Sequence, residues 1–348
     1  MALSKPEQLH FAQQLSSLLD SGLALLNAIE LIYSCAPKKW QPWLTQIHTQ
    51  LKSGNSFSQG LNGQKGLFSI EFINLIRVSE RSGDIDRALK TICQQLEAQI
   101  ELKRKVQQAL SYPLITLASS FLLVLVMMVW VVPVFKDVFS HFQAELPAPT
   151  QALIQASSLI EDFFFEISFC IIAGAILFFI AWIKLPHLQK KCDQLSFRIP
   201  LLGSLLRLAT LTYWCRTLGH LLESGLPLPD ALRVTAQSSN HWLTHDLSAE
   251  VFKYLTQGWP LGDALIRADP KHLLFDIETL QLLRIASESG SLAQMLNRRA
   301  HTLGSQLSNR LNTLSQSLEP FLIISVGFII GSLVIILYLP IFNLGQIV

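Results

Sequence analysis

Most of the motifs that carry chemistry are missing from this chain. It has no GxxxxGK[ST] phosphate loop, no GxSxG nucleophile elbow and no HExxH zinc pair. Nucleotide hydrolysis, serine-hydrolase chemistry and zinc proteolysis therefore have no residues to run on. Cysteine is scarce, with five in 348 residues and no CxxC spacing. Cys35, Cys93, Cys192 and Cys215 fall in segments expected in the cytosol and Cys170 in an apolar run, so they read as small core residues rather than disulfide partners. Charge is scarce too, 15% of residues against 50% hydrophobic, with a net charge of +2. No basic tract with interleaved aromatics and no zinc knuckle occurs, so no nucleic-acid partner is expected. Glu7, Gln8, His10 and Gln13 interrupt the first 20 residues. That composition is not a signal-peptide core, and the N-terminus is expected in the cytosol.

Charge is lowest in three runs. Nineteen uncharged residues separate Pro113 from Pro133, and nineteen more separate Pro320 from Pro340. Each run is about long enough to cross a bilayer as a helix. The two share a register: YP then PVF in the first, EP then PIF in the second, 207 residues apart. The four prolines mark the membrane junctions. A third run, Ile167 to Ile183, has 17 uncharged residues and no counterpart. It supplies the return crossing that two copies, each ending in a membrane helix, need to keep their polar parts on one side.

The duplication extends upstream. FAQQLSSLLDSGLALLNAI (11–29) lies over WCRTLGHLLESGLPLPDAL (214–232) at an offset of 203, and RVSERSGDIDRAL (77–89) over RIASESGSLAQML (284–296) at 207. Residues 51–61 lie over 255–265 at 204, so the second copy gains about one helical turn, mostly near Asp269 and Pro270. A period of this size is a repeat of whole domains rather than a solenoid.

Loop charge sets the orientation. Lys103, Arg104 and Lys105 precede the first run, Lys184, Lys190, Lys191 and Arg198 follow the second, and Arg298, Arg299 and Arg310 precede the third. Between the first two, Lys136 stands against Asp137, Glu145, Glu161, Asp162 and Glu166. All three crossings then agree on a cytoplasmic N-terminus and a periplasmic C-terminus.

The polar halves read as all-helical. Phe11, Leu15, Leu18 and Leu19 mark one buried helix face, repeated by Trp214, Leu218, Leu221 and Leu222. Each stripe ends in Ser-Gly, at Gly22 and Gly225, which suits a left-handed stop. Gly83 and Gly290 repeat the signal, with Asp84 or Ser291 placed to cap the next helix. The expected fold is an all-α membrane protein. It comprises a cytoplasmic bundle over 1–105, spans at 114–132, 167–183 and 321–339, a periplasmic loop over 133–166, a second bundle over 190–310 and a short periplasmic tail over 340–348.

Arg77 and Glu80 lie three apart on a helix beside the Ser-Gly turn, which suits an ion pair, ordinary solvated positions or a partner contact. Glu319, just before Pro320, reads as a helix N-terminal cap; proton relay is the sharper alternative, but no ionisable residue lies inside any run, which argues against an ion-coupled transporter. Gly327 and Gly331 form GxxxG, a helix-packing pattern in lipid. His241 and His245 have the spacing of metal ligands on a helix. With no cysteine or carboxylate signature near them, they read as a solvated helix or loop, so no metal, cofactor or catalytic residue is expected.

LLDSGL and LLESGLPLPDAL, SERSGDIDRAL and SESGSLAQML, and the YP and EP before the spans resemble the GspF/PilC family. These are inner-membrane platform proteins of type II secretion and type IV pilus machines, and the resemblance covers essentially the whole chain. It implies a six-helix bundle in each half and three membrane helices. It also implies a non-enzymatic role between a cytosolic hexameric ATPase and a growing pilin or pseudopilin filament. Further inner-membrane assembly components and other copies of the chain are implied as partners. Two departures stand out. The family writes Gly-Glu before Ser-Gly, where this chain has Ser79-Glu80 and Ala286-Ser287. The family's N-terminal extension of some tens of residues has no match ahead of the first bundle, which tilts the reading toward a pilus-type machine. The alternative is a small transporter or channel subunit. Periplasmic reporter enzymes fused after residues 155 and 345 are expected to be active, and fusions at 95 and 300 inactive; a cytosolic signal at 345 would overturn the three-span reading.

Overall fold

A computed structural model describes residues 3–64, 66–141, 147–159, 162–163, 166, 173–174, 177, 196–197, 199–239 and 241–344. Among them the regular elements are helical and no strand occurs. The first copy contributes α1 (Lys5–Asp20), α2 (Leu25–Cys35), α3 (Gln41–Lys52), α4 (Phe57–Gly63), α5 (Ile70–Ser82) and α6 (Ile85–Val126). A π-helical turn (Met127–Val131), α7 (Val132–His141) and α8 (148–159) follow. The second copy contributes α9 (Pro200–Glu223), α10 (Leu228–Ser238), α11 (Trp242–Thr256), α12 (Leu261–Ala268), α13 (Ile277–Glu288) and α14 (Leu292–Leu344). The chain divides into two compact units, residues 1–105 with 196–309, and residues 106–195 with 310–348.

In the first unit the repeat is visible element by element. α2 and α10 begin 203 residues apart, α4 and α12 204, and α5 and α13 207. The extra length between the copies is spread over several elements rather than added as one helical turn. α11 is three residues longer than α3 while the loop before it is two shorter, α12 is one residue longer than α4, and the loop 269–276 is two residues longer than its counterpart. Asp269 organises that loop. Its buried carboxylate accepts the backbone N–H groups of Leu273, Leu274 and Phe275 at 2.7, 2.8 and 2.9 Å. Arg207 of α9 donates to the carbonyls of Leu274 and Phe275 at 3.2 and 3.1 Å. Buried backbone groups must be paired, and here one carboxylate and one guanidinium complete an irregular segment.

The apolar stripes face inward. Phe11 and Leu15 of α1 are fully buried, as are Trp214, Leu218 and Leu221 of α9, while Leu18, Leu19 and Leu222 are half-buried. Phe11 meets Trp43 edge-on at 5.2 Å and Trp214 meets Phe275 at 4.8 Å, the T-shaped arrangement that aromatic quadrupoles favour. The end of the first helix is tied to the start of the last in both copies. Lys90 pairs with Asp20 at 2.6 Å in one, and Asn297 donates to Glu223 at 2.7 Å in the other.

In the second unit the prolines do not end helices. Pro113 lies within α6, and Pro320 and Pro340 within α14. Glu319 is therefore mid-helix rather than an N-terminal cap; the Tyr112 hydroxyl donates to its Oε1 at 3.4 Å. The π-helical turn stands just ahead of Pro133. A proline ring cannot donate to the carbonyl four residues back and collides with it, and a one-residue widening accommodates both effects. Residues 148–159, within the segment expected to be periplasmic, form a helix. Leu153 packs with Val132, Leu333 and Leu337, and Thr150 donates to the carbonyl of Ile336 at 2.8 Å. All but three residues of the expected span 167–183 lie outside the described residues.

Among the described residues two helices are long and apolar enough to cross a membrane, and their apolar windows are only 6% and 17% buried within the chain. Soluble core helices bury such surface. Here Leu114, Ile115, Trp130, Phe321, Ile324 and Phe328 are exposed, an apolar area that water would penalise and lipid would not.

Gly83 ends α5 at φ +78°, with the N–H of Asp84 returning to the Ser79 carbonyl at 2.9 Å. A side chain added at Gly83 would meet no atom within 4 Å. Gly83→Val should therefore be felt only through its backbone, at about 1–3 kcal/mol for a branched residue held at positive φ. Thermal denaturation of the solubilised chain should show the loss, with Gly83→Asn closer to wild type.

Candidate functional site: the seam between the two copies

The first unit contains a seam where α5 of the first copy lies on α9 and α10 of the second. Its chemical centre is Glu71. This side chain enters the first turn of α5, where a carboxylate suits the helix dipole, but it is buried. The Gln95 amide donates to its Oε1 from α6. Across the seam the Tyr213 hydroxyl lies 3.5 Å from Oε2, and the buried Thr217 hydroxyl faces the same carboxyl. Burial dominates and pushes the Glu71 carboxyl up to about 7, against the opposing pull of Thr217, the Lys5 charge and Tyr213. Tyr213 has one proton and a nearer acceptor for it, the Ser238 carbonyl at 3.0 Å. The carboxyl is thus better matched to Tyr213 when it carries its own proton and donates.

The second copy treats the equivalent acid differently. Glu278 stands 207 residues after Glu71. It pairs with Arg299 Nη1 at 2.7 Å, while Asp276 takes Nη2 at 2.6 Å and Thr279 Oγ1 accepts from Nε at 2.8 Å. The Arg299 side chain is 2% exposed, and its buried charge is matched by two carboxylates, as burial demands. At the corresponding position the first copy has Ile92. Without that cation, Glu71 is served by an amide in its own copy and by the Tyr213 hydroxyl in the other.

Beside Glu71 the seam opens into a groove of about 510 Å³, lined by Ile73, Arg77 and Val78 of α5 and by Asp230, Arg233 and Val234 of α10. Arg77 and Glu80 do not pair with each other. Arg77 is exposed in this groove and donates to Asn74 Oδ1 at 3.0 Å. Glu80 turns the other way and accepts the first N–H groups of α4, from Phe57 and, at 3.1 Å, from Ser58. It thus acts as a cap supplied from 22 and 23 residues away, filling donors that have no intrahelical partner. In the second copy Ser287 stands opposite Glu80 in the repeat, and Gly262 opposite Ser58. There α13 closes on α12 directly: a Cβ on Gly262 would stand 2.7 Å from Arg284 Cγ.

The other expected site residues are placed as follows. Gly22, Gly225 and Gly290 have φ of +86°, +89° and +69°. A side chain added at Gly327 or Gly331 would meet no atom within 4 Å, so no described neighbour packs closely on either glycine. His241 Nδ1 accepts from the Leu243 N–H at 3.3 Å at the start of α11, and His245 lies exposed 3.3 Å from Asp246. Among the described residues no group of three or more His, Cys, Asp or Glu side chains could hold a metal ion. Glu71, Asp269 and Arg299 were not singled out by sequence reasoning. A signal for Glu71 and Arg299 existed, since the aligned copies carry a shared Glu at 71 and 278 but Ile92 opposite Arg299.

This arrangement, a duplicated helical protein with apolar helices following each copy, defines the class. Residues 11–133 and 214–340 each match the model of the family described as type II secretion system protein F, and the chain belongs to that family. It is 31% identical to the type 4 fimbrial assembly protein PilC of Pseudomonas putida, over 99% of this chain and 85% of that protein. It is 30% identical to the HofC homologue of Haemophilus influenzae, a protein transport protein, over 96% and 84%. It is 28% identical to the type II secretion system protein F of Xanthomonas campestris pv. campestris, over 96% and 82%.

The elevated Glu71 carboxyl makes a stability prediction with a definite sign. The unfolded carboxyl titrates near 4.3 and the folded one near 7. Between those values the native state holds a proton that the unfolded state has lost. Stability contributed by Glu71 is therefore present at low pH, falls as pH rises from about 4.5 to 7, and is flat above. Glu71→Gln should abolish this component and be the more stable protein at pH 8, as read from denaturation midpoints of both proteins at pH 5, 6 and 8.

Proposed function

We propose that this chain is a non-enzymatic membrane platform, coupling a cytosolic assembly ATPase to the growth of a pilin or pseudopilin filament in type IV pilus assembly or type II secretion. One observation carries the reading. In each copy the last helix of the polar bundle, α6 or α14, continues through a proline into an uncharged stretch of membrane length without a break in helical structure. Movement of a bundle is then transmitted to a membrane helix along one hydrogen-bonded element rather than through a loop. The names of the relatives, fimbrial assembly, protein transport and type II secretion, support the same role.

In this proposal residues 1–105 and 190–310 are cytoplasmic bundles of the six-helix type. Residues 114–132, 167–183 and 321–339 cross the inner membrane, residues 133–166 are periplasmic, and the C-terminus lies outside. The ATPase engages the bundles, and pilins are raised from the membrane beside the spans. Chromosomal deletion should leave the filament subunit unassembled in the membrane, and the full chain supplied on a plasmid should restore filaments or secretion. A deletion strain with normal filaments and normal secretion would overturn the proposal.

A further inference from the structure

The seam uses one face of each copy and leaves the equivalent faces open. The helix α5 of the first copy sits on the α9/α10 face of the second, with Glu71 at Tyr213, and Val78 and Val234 lining one groove. By the repeat offsets of 203 and 207, the same two faces exist again as α1/α2 in the first copy and α13 in the second. An isologous, two-fold seam would join both pairs within one chain. It does not. The α1/α2 face is an open groove of about 650 Å³, lined among others by His10, Gln14, Leu31 and Cys35. These are the positions that correspond to Tyr213, Thr217, Val234 and Ser238. On α13, Ile277 and Ile285 are 63% and 62% exposed, and Leu31 in the groove is 46% exposed. Ile277 and Ile285 correspond to Ile70 and Val78 of the seam.

We propose that a second copy of this chain seats its α13 helix in the α1/α2 groove, repeating between chains the seam made within each chain. Three features single out this occupant. The chain already pairs the equivalent surfaces, so the helix and groove geometries are matched by descent from one repeat. The apolar positions Ile285 and Leu31 stand where Val78 and Val234 stand in the seam. The polar positions are complementary as well. Glu278, 64% exposed beyond its contact with Arg299, takes the place of Glu71 and comes to His10 in place of Tyr213. Arg284 takes the place of Arg77 on the side where Glu30 replaces Arg233. A guanidinium thus comes to a carboxylate where the internal seam has two arginines, so an opposite-charge pair favours the contact between chains, and a carboxylate comes to an imidazole able to donate a hydrogen bond. A contact of this kind is head-to-tail. Each chain keeps one free face, so assembly runs past two copies until a ring closes.

The test uses the full chain in detergent, with the photo-crosslinking residue p-benzoylphenylalanine replacing Ile285. The expected product is chain-to-chain adducts, mapped by mass spectrometry to α1, α2 or the turn after α2, in a ladder that extends beyond two chains. Leu31→Glu, at an exposed position, should lower adduct yield by about tenfold, the effect of a modest change in contact free energy, with helicity unchanged. Adducts that map elsewhere on the chain or only to a different protein, or that stop at two chains, would overturn the proposal. So would an unchanged yield in Leu31→Glu. If that variant loses helicity, the adduct map on the otherwise native chain decides the matter.

Discussion

A charged group taken out of water must be matched by an opposite charge or kept neutral, and the two copies in the first unit meet that demand differently, at Arg299 in one and at Glu71 in the other. Glu278 is held by Arg299, whose charge is also shared with Asp276. Glu71 stands at the same place in the repeat, faces Ile92 where the arginine would be, and is buried against Gln95, Tyr213 and Thr217. The first copy lacks the arginine and its partners, with Ile92, Ser69 and Phe72 where the second has Arg299, Asp276 and Thr279, and its acid is met partly by Gln95 and partly across the seam. The two copies become unequal at that point, one self-sufficient and one dependent on its neighbour.

The same economy governs the irregular parts. Glu80 reaches from the end of α5 to the first N–H groups of α4, and Asp269 closes three N–H groups of the loop before α13. Glu80 adds a distant carboxylate to the local Ser56 capping box of α4, and Asp269 serves N–H groups four to six residues further along its own loop. Helix ends carry unpaired donors and a partial positive charge, so a carboxylate is the side chain best suited to them. In the second copy, where the counterpart of Ser58 is Gly262, close packing against Arg284 stands in that place instead.

In the second unit the governing constraint is solvent. Large apolar side chains along α6 and α14 remain uncovered by the chain itself, and a helix is a form in which such a segment satisfies its backbone without water. Pro113 and Pro320 are carried inside these helices rather than at their ends. Membrane helices tolerate this where neighbouring groups re-satisfy the freed carbonyls. The short helix over 148–159 covers part of the apolar surface, placing Leu153 against Leu333 and Leu337.

The sequence by itself determined the helical class, the duplication, the uncharged runs and the family. Each of these is a one-dimensional pattern: a 3.6-residue period, an offset of 203 to 207, the spacing of Pro113, Pro133, Pro320 and Pro340. It also marked the Ser-Gly stops, because a left-handed stop is a local backbone requirement that glycine meets best. What pairs with what was decided only in three dimensions. Arg77 and Glu80 are neighbours along a helix, so the sequence suggests that they meet; packing of α5 against α4 draws Glu80 to the α4 N–H groups and leaves Arg77 to Asn74 of its own helix. Glu319 precedes a proline, which reads as a helix start until the helix is seen to begin at Leu292. Glu71 and Glu278 match in the alignment, yet one is buried and the other largely exposed. Burial and charge pairing depend on residues distant along the chain, and the packing of whole helices, not their local sequence, brings those residues together.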